Sequence, residues 1–270
     1  MSRFLLPLLF LLPLAFLSCY EDRVGCLDPD AANYDLVADE ACPECCTYPV
    51  FSVRVSTVWD GEALVPDAVY TDGAGNTFRL VDFRYYLGDL RLLADGADLP
   101  EPQREVAFTL ADGTSTTLNG NYTLATSDRT SREVGAFRLG VTPIAGFAGS
   151  YGLPDRFRDV LPASAPSGDA LRTQPRRLNY LDGNGYVQSR LEYVLPGAPD
   201  TLSVSTYGSV PFTYSFAEAV TPARGADIRL DLEADLSELL GTIDLTADST
   251  VVGAQLGASP AFITPTAIVY

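Results

Sequence analysis

Phe51-Ser52-Val53-Arg54-Val55-Ser56 alternates apolar and polar residues with the period of two that a half-buried β-strand requires. The same alternation recurs in four further segments, at residues 137–141, 202–205, 212–216 and 228–232. Asp-Gly and Asn-Gly pairs, which favour tight turns, separate such segments at residues 72–73, 95–96, 112–113, 119–120 and 182–183. Many short strands with frequent turns predict an all-β chain folded as an antiparallel β-sandwich.

Two stretches depart from the strand pattern. Residues 235–240 predict a helix of one or two turns, with Asp235 or Ser237 near its start. Residues 143–175 are rich in Pro, Gly and Ala, and this composition predicts a long irregular loop on the surface.

Composition excludes several classes of function. The chain carries 35 acidic residues against 18 basic residues, all of them Arg, and its formal net charge is −17. This charge excludes nucleic acid as a partner, because the chain repels phosphate. The sequence has no His, so it can form neither a Ser-His-Asp triad nor an imidazole metal site. No pair of Asp or Glu lies in a recognisable catalytic frame, which leaves a carboxylate hydrolase without positive support and predicts a chain that is not an enzyme.

The first 18 residues read as a signal peptide. A short opening with Arg3 precedes an apolar run at residues 4–17, which is shorter than a membrane span. Ser18-Cys19 then resembles the lipobox of bacterial lipoproteins, and Glu21-Asp22 resembles a surface-export signal of Bacteroidetes lipoproteins. The resemblance implies acylation at Cys19 and a lipid anchor in the outer membrane of a Gram-negative cell envelope, on its periplasmic or its outer face. A secreted protein without lipid is the alternative.

Residues 19–48 form an acidic segment that contains every remaining cysteine. The four thiols other than Cys19 lie within 21 residues, which fits either disulfides in an oxidising compartment or a four-thiolate zinc site. The segment also has four carboxylates that predict either a calcium site or a solvated acidic loop. These carboxylates belong to Asp28, Asp30, Asp35 and Asp39.

Residues 25–35 and 42–48 together resemble a short module of Bacteroidetes surface proteins, with the form G-C-x-D-x-x-A-x-N-Y-D…C-x-Y. The resemblance implies that Cys26 pairs with Cys46, which occupies the closing cysteine position of the module. Cys42 and Cys45 would then close a second, tight loop.

The long segment from residue 49 to residue 270 resembles the MbnP-like copper-binding family, the methanobactin-associated envelope proteins. The resemblance depends on the order of several pieces, of which Phe83-Arg84-Tyr85-Tyr86-Leu87-Gly88-Asp89-Leu90-Arg91-Leu92 is the most specific. The other pieces lie at residues 58–64, 70–78, 185–186, 191–192, 207–208 and 228–240. The family implies a β domain, bound copper held partly by His, and a dihaem cytochrome c peroxidase-like partner that can oxidise a tryptophan to kynurenine.

The chain differs from this family at the expected ligands. Tyr207 stands where relatives often have His, Tyr180 lies in a stretch where relatives have Trp, and Trp59 is the one tryptophan of the chain. We expect the family ligand site near these three residues, as a cleft beside Tyr207 and Tyr180 lined by hydroxyl and apolar groups. The metal, if any, is not identified by the sequence.

Three functional hypotheses follow. The first is a non-catalytic envelope lipoprotein, a binding or scaffold module whose family copper site is weakened or lost. The second is a periplasmic or surface copper-binding protein partnered by the dihaem enzyme. The third is a hydrolase that uses carboxylates.

Overall fold

The computed structural model describes residues 21–65, 67–95, 99–127, 130–172, 180–181 and 184–270. The predicted signal peptide, Cys19, Gly96 of one predicted turn and the whole Asp182-Gly183 turn lie outside these residues. No helix among the described residues is long and apolar enough to cross a membrane.

The described part of the chain is built mainly from β-strands. The strands in chain order are β1 (Val24–Gly25), β2 (Glu40–Ala41), β3 (Val50–Trp59), β4 (Glu62–Ala63), β5 (Val69–Thr71), β6 (Thr77–Ala94), β7 (Glu105–Thr109), β8 (Ser115–Asn119), β9 (Thr123–Thr126), β10 (Thr130–Ala136), β11 (Ile144–Tyr151), β12 (Tyr180–Leu181), β13 (Gly185–Tyr186), β14 (Ser189–Val194), β15 (Leu202–Thr206), β16 (Val210–Val220), β17 (Ile228–Asp235) and β18 (Ile263–Val269). Two helices follow β17, α1 (Leu236–Leu240) and α2 (Ser249–Leu256). Short 3₁₀ turns occur at Pro43–Cys45, Asp155–Phe157 and Pro162–Ser164.

Two sheets enclose the main core, and they confirm the predicted all-β antiparallel sandwich. One has the strand order β10-β3-β17-β18, and the other has the order β15-β14-β6-β11-β16. Neighbouring strands are antiparallel except for β3 and β17, which are parallel. The alternation that predicted β3 is visible in its burial, because Phe51, Val53 and Val55 are fully buried while Ser52 and Arg54 are partly exposed. Burying each such apolar side chain contributes about 1.5–3 kcal/mol.

Strand β6 changes its neighbour halfway along its length. β14 pairs with its first half as far as Tyr85, and β11 pairs with its second half from Leu87 onward. β9 pairs with both Tyr85 and Leu87, so β14 and β11 must both lie on the opposite side of β6 from β9. β14 and β11 therefore follow one another end to end. They meet at Tyr86, whose N–H donates to the Gln188 carbonyl (3.0 Å) and whose carbonyl accepts from the Gly152 N–H (2.8 Å).

The prediction of an irregular surface loop at residues 143–175 is wrong. Its first part is β11, a central strand, and its small residues are there because neighbouring strands approach closely. A Cβ on Gly146 would lie 2.2 Å from the Tyr214 carbonyl oxygen. The rest of the segment up to residue 172 buries Phe157, Val160 and Leu171 in a second apolar cluster with Tyr86 and is not a surface loop. The short helix α1 confirms the other local prediction, since the Asp235 carboxylate caps it by accepting from the Ser237 N–H.

Candidate functional site

The candidate site lies next to the point where β14 and β11 meet. The outer strands β15 and β16 are also interrupted there. Residues 207–209 connect them. Gly208 and Gly152 both have positive φ, 107° and 101°, which an L side chain rarely adopts. A Cβ on Gly152 would lie 2.3 Å from the Gly208 carbonyl oxygen, so glycine is needed for the two segments to approach. Tyr207 is held at the break with its side chain 40% exposed.

A cleft of about 580 Å³ opens beside Tyr207, between β15 and α2. Its walls carry hydroxyl groups, one amide and small apolar groups. The lining residues are Gln188, Ser203, Val204, Ser205, Thr206, Tyr207, Ser249, Thr250, Gly253, Ala254 and Gly257. Among these residues the one ionisable side chain is the phenol of Tyr207.

The Tyr207 phenol is neutral near pH 7. Burial raises the pKa of Tyr207, while a hydrogen bond with Asn184 and the positive charge of Arg190 act in the opposite direction. Tyr207 also lines a smaller cavity of about 130 Å³, together with Asn184, Tyr186 and Arg158 among other residues. Tyr207 therefore belongs to the walls of both cavities.

Tyr180 lines neither cavity. It pairs with Tyr186 in the short β12–β13 ladder, with ring centroids 5.1 Å apart. Tyr186 in turn packs edge-on against Tyr86 at 5.9 Å and donates its hydroxyl to the Leu171 carbonyl. Tyr180 thus contacts the candidate site through Tyr186, as part of an aromatic cluster.

Trp59 does not join the candidate site. Its indole packs against Tyr70 (4.4 Å between centroids) and Phe78 (5.8 Å), and Phe78 packs against Tyr193. Tyr193 lies four residues along β14 from Ser189, the partner of Thr206, which corresponds to about 13 Å of strand. The grouping of Trp59 with Tyr180 and Tyr207 is therefore corrected, because Trp59 ends a strand of the opposite sheet and packs on the β5–β6 hairpin.

The cysteine-rich segment contains one of the two expected disulfides. Cys26 and Cys46 are bonded, with an S–S distance of 1.99 Å, as the module resemblance implied. Cys42 and Cys45 are free thiols, so the predicted second bridge is wrong. The 3₁₀ turn at Pro43–Cys45 directs the Cys45 thiol onto the Cys42 carbonyl (2.9 Å). A hydrogen bond with the Cys45 thiol, together with partial burial, raises the pKa of Cys42 to about 11.

The disulfide also removes two sulfurs from the alternative four-thiolate zinc site. Within the described ranges, no group of three or more Cys, Asp or Glu side chains is arranged to hold a metal ion. Three of the four carboxylates considered for calcium are instead paired with arginines. Asp28 forms an ion pair with Arg138 (3.0 Å) and accepts from the Tyr48 hydroxyl, and Asp35 pairs with Arg23 (2.9 Å). Arg138 follows β10, so its ion pair with Asp28 docks the segment on the β domain.

Sequence reasoning missed two parts of the site. Helix α2 was not predicted, although Asp248 is an N-cap signal and accepts from the Thr250 N–H at 2.8 Å. Gln188 was also missed. Its amide is 2% exposed and donates to the carbonyls of Tyr151 (3.2 Å) and Gly257 (3.1 Å), which are distant in sequence.

No protein-family model matches the chain, and no match was found among curated proteins. Among solved structures, the chain is similar to MbnP from Methylosinus trichosporium. That alignment covers 73% of this chain and 79% of the other, with 17% sequence identity and a TM-score of 0.39.

Proposed function

We propose that the chain is a non-catalytic binding or scaffold module of the cell envelope, and that its ligand enters the cleft beside Tyr207. The observation that carries the proposal is the chemistry of the cleft, which is large enough for a ligand and lined by hydroxyl, amide and small apolar groups. General acid–base catalysis needs groups that titrate near the working pH, and the lining residues offer a neutral phenol instead. Such walls suit recognition of an uncharged ligand.

The proposal includes export and anchoring. The apolar run at residues 4–17, followed by Ser18-Cys19, supports removal of the leader and acylation of Cys19. A lipid anchor suits a chain of net charge −17, which an anionic membrane surface would otherwise repel. The cleft would then face the periplasm or the cell exterior.

The proposal also states that the copper role implied by the family resemblance is weakened or lost. Retention of copper normally uses imidazole, thiolate or thioether ligands. The segment from residue 49 onward has no His, Cys or Met, and Tyr207 and Tyr180 offer phenols at the expected position. Copper binding with a dihaem partner is the alternative, and it would use Tyr, Asp or thiolate ligands, the last from the free thiols of Cys42 and Cys45.

Ligand screening with a blocked cleft tests the proposal. The full chain is screened by thermal shift against neutral oligosaccharides and pools of random peptides. Ala254→Arg places a long side chain in the cleft, whereas Gln255→Arg adds the same charge on an exposed position of α2 that does not line it. We expect one class of ligand to stabilise the parent chain and Gln255→Arg, to leave Ala254→Arg unaffected, and to be recovered unchanged. The absence of a ligand in both classes, or turnover of the ligand, would overturn the proposal.

A further inference from the structure

The cleft runs along the free edge of a strand. β15 is the last strand of its sheet and pairs with β14 alone. Five consecutive residues, 203–207, line the cleft. Successive side chains of a strand point to opposite faces of the sheet, so a cleft on one face would be lined by every second residue. A lining of consecutive residues indicates that the cleft follows the edge of the strand. The unpaired main-chain groups of β15 are therefore presented to the cleft.

The opposite wall is one stripe of helix α2. The lining residues of this helix are Ser249, Thr250, Gly253, Ala254 and Gly257, which the helical repeat places on a single face. The ideal Cβ position of Gly253 is 3.5 Å from the Val204 side chain, and that of Gly257 is 3.3 Å from the Thr206 Cβ. The helix therefore runs alongside β15 in the same direction, and its small residues let it pack closely against Val204 and Thr206.

β15 differs from the strands at the other three ends of the two main strand orders. Natural proteins protect strand edges from pairing with proline, charged side chains or bulges. β15 reads Leu-Ser-Val-Ser-Thr and has none of these residue types. The strands at those three ends carry them, as Arg132 and Glu133 in β10, Pro211 and Glu218 in β16, and Pro265 in β18.

We infer that the cleft binds an extended polypeptide segment, which adds as a further strand alongside β15 in the groove between β15 and α2. The inference rests on the proposed binding function and names its class of ligand. Main-chain hydrogen bonds to the edge supply affinity in this mode, and the groove walls select the side chains. Because those walls carry hydroxyl groups and small apolar groups, the bound stretch consists of small, uncharged residues such as Ser, Thr, Gly and Val.

Peptide selection on the full chain provides the probe. Random peptides of about eight residues, the length of an ordinary strand, are displayed and selected on the immobilised chain. Their dissociation constants are then measured for the parent chain, Ala254→Arg and Gln255→Arg. We expect Ala254→Arg to weaken binding by about tenfold or more, equivalent to losing one or two net hydrogen bonds, and Gln255→Arg to leave it unchanged. Peptide binding that is insensitive to Ala254→Arg would overturn the inference.

Methylation of the peptide main chain tests the strand geometry itself. Each amide nitrogen of the selected peptide is methylated in turn. A strand added to an edge directs alternate N–H groups toward its neighbour, so we expect strong losses at every second position and tolerance between them. Losses at consecutive positions, or at none, would overturn the inference. If oligosaccharides bind in the cleft and peptides do not, the inference fails while the proposed function stands, and if neither binds, both fail.

Discussion

Replacing Asp72 by Asn is expected to lower the free energy of unfolding by about 2–4 kcal/mol. Asp72 is 5% exposed, and its Oδ1 accepts from the N–H groups of Ala74 (3.0 Å) and Asn76 (2.7 Å). Its Oδ2 accepts from the N–H of Leu245 at 2.9 Å, across 173 residues of sequence. In the Asp72→Asn variant an NH₂ group replaces one of these oxygens. The Leu245 N–H then loses its acceptor in a buried place, which costs about 1–3 kcal/mol, and the remaining bonds lose their charge assistance.

The pH dependence of the free energy of unfolding provides a second test of the Asp72 hydrogen bonds. Burial alone would raise the pKa of Asp72, but the hydrogen bonds from Leu245, Asn76 and Ala74 outweigh it and lower the pKa below the ordinary value. A depressed pKa in the folded state means that the carboxylate stabilises the fold above its unfolded pKa, near 4, and that this contribution is lost as pH falls through the folded pKa. The difference between the parent chain and Asp72→Asn should therefore shrink below about pH 4.

Urea denaturation at pH 7 and pH 3 measures both effects, with Trp59 as the fluorescent probe because it packs on the same hairpin as Asp72. The expected loss corresponds to a fall in Tm of roughly 5–15 °C for a chain of this size. Asp112→Asn is the matched control, since Asp112 lies in an exposed turn and bonds within it to Thr114 alone, and it should leave the midpoint nearly unchanged. If Asp72→Asn shifts the midpoint no more than Asp112→Asn, the assignment of Asp72 as a tertiary anchor is wrong.

Three further outcomes are expected. The mature protein should begin at Cys19 and partition into detergent, and Cys19→Ala should release it to the soluble fraction; a different mature N-terminus would refute acylation. Cys26→Ser opens a loop closed by cysteines 20 positions apart and should destabilise that segment by about 3 kcal/mol, seen as faster amide hydrogen exchange than in Cys42→Ser, and equal protection would argue against it. The full chain with Cys42→Ser and Cys45→Ser should retain no more copper than an unrelated acidic protein after dialysis against a mild chelator, and stoichiometric copper would favour the copper-binding alternative.

Four of the five alternating segments could be predicted as strands because their signals are local, whereas the prediction for residues 137–141 is wrong, since β10 ends at Ala136 and no strand forms there. The alternation of β3 and the Asp72-Gly73 turn both appear in the structure at the expected residues. β11 was missed because its small residues match a loop composition, while their role depends on contacts such as Gly146 against Tyr214. A periodicity argument carries no information about which distant segment approaches a glycine.

The candidate site could be predicted only in part, because its position depends on contacts between segments distant in sequence. Tyr207 was singled out, and the lining of its cleft has the expected chemistry. Trp59 was grouped with Tyr207 by resemblance. Sheet pairing separates them, because Tyr207 follows Thr206, the partner of Ser189 at one end of β14, while Trp59 packs on Phe78, which contacts Tyr193 near the other end. Helix α2 was overlooked because its lining face is made of Gly, Ala, Ser and Thr, which lack the apolar stripe that marks an amphipathic helix.

The tertiary contacts of α2 fix the position of this wall of the groove. At the end before α2, the Asp72 carboxylate accepts from the Leu245 N–H and the Tyr193 hydroxyl donates to the Leu245 carbonyl (2.8 Å). At the other end, the Gln188 amide donates to the Gly257 carbonyl and also to the Tyr151 carbonyl of β11. The helix is thus fixed to the sheet at both ends by buried side chains, while the stripe between them stays small. Because this wall is already fixed, binding a strand avoids part of the entropic cost of ordering it.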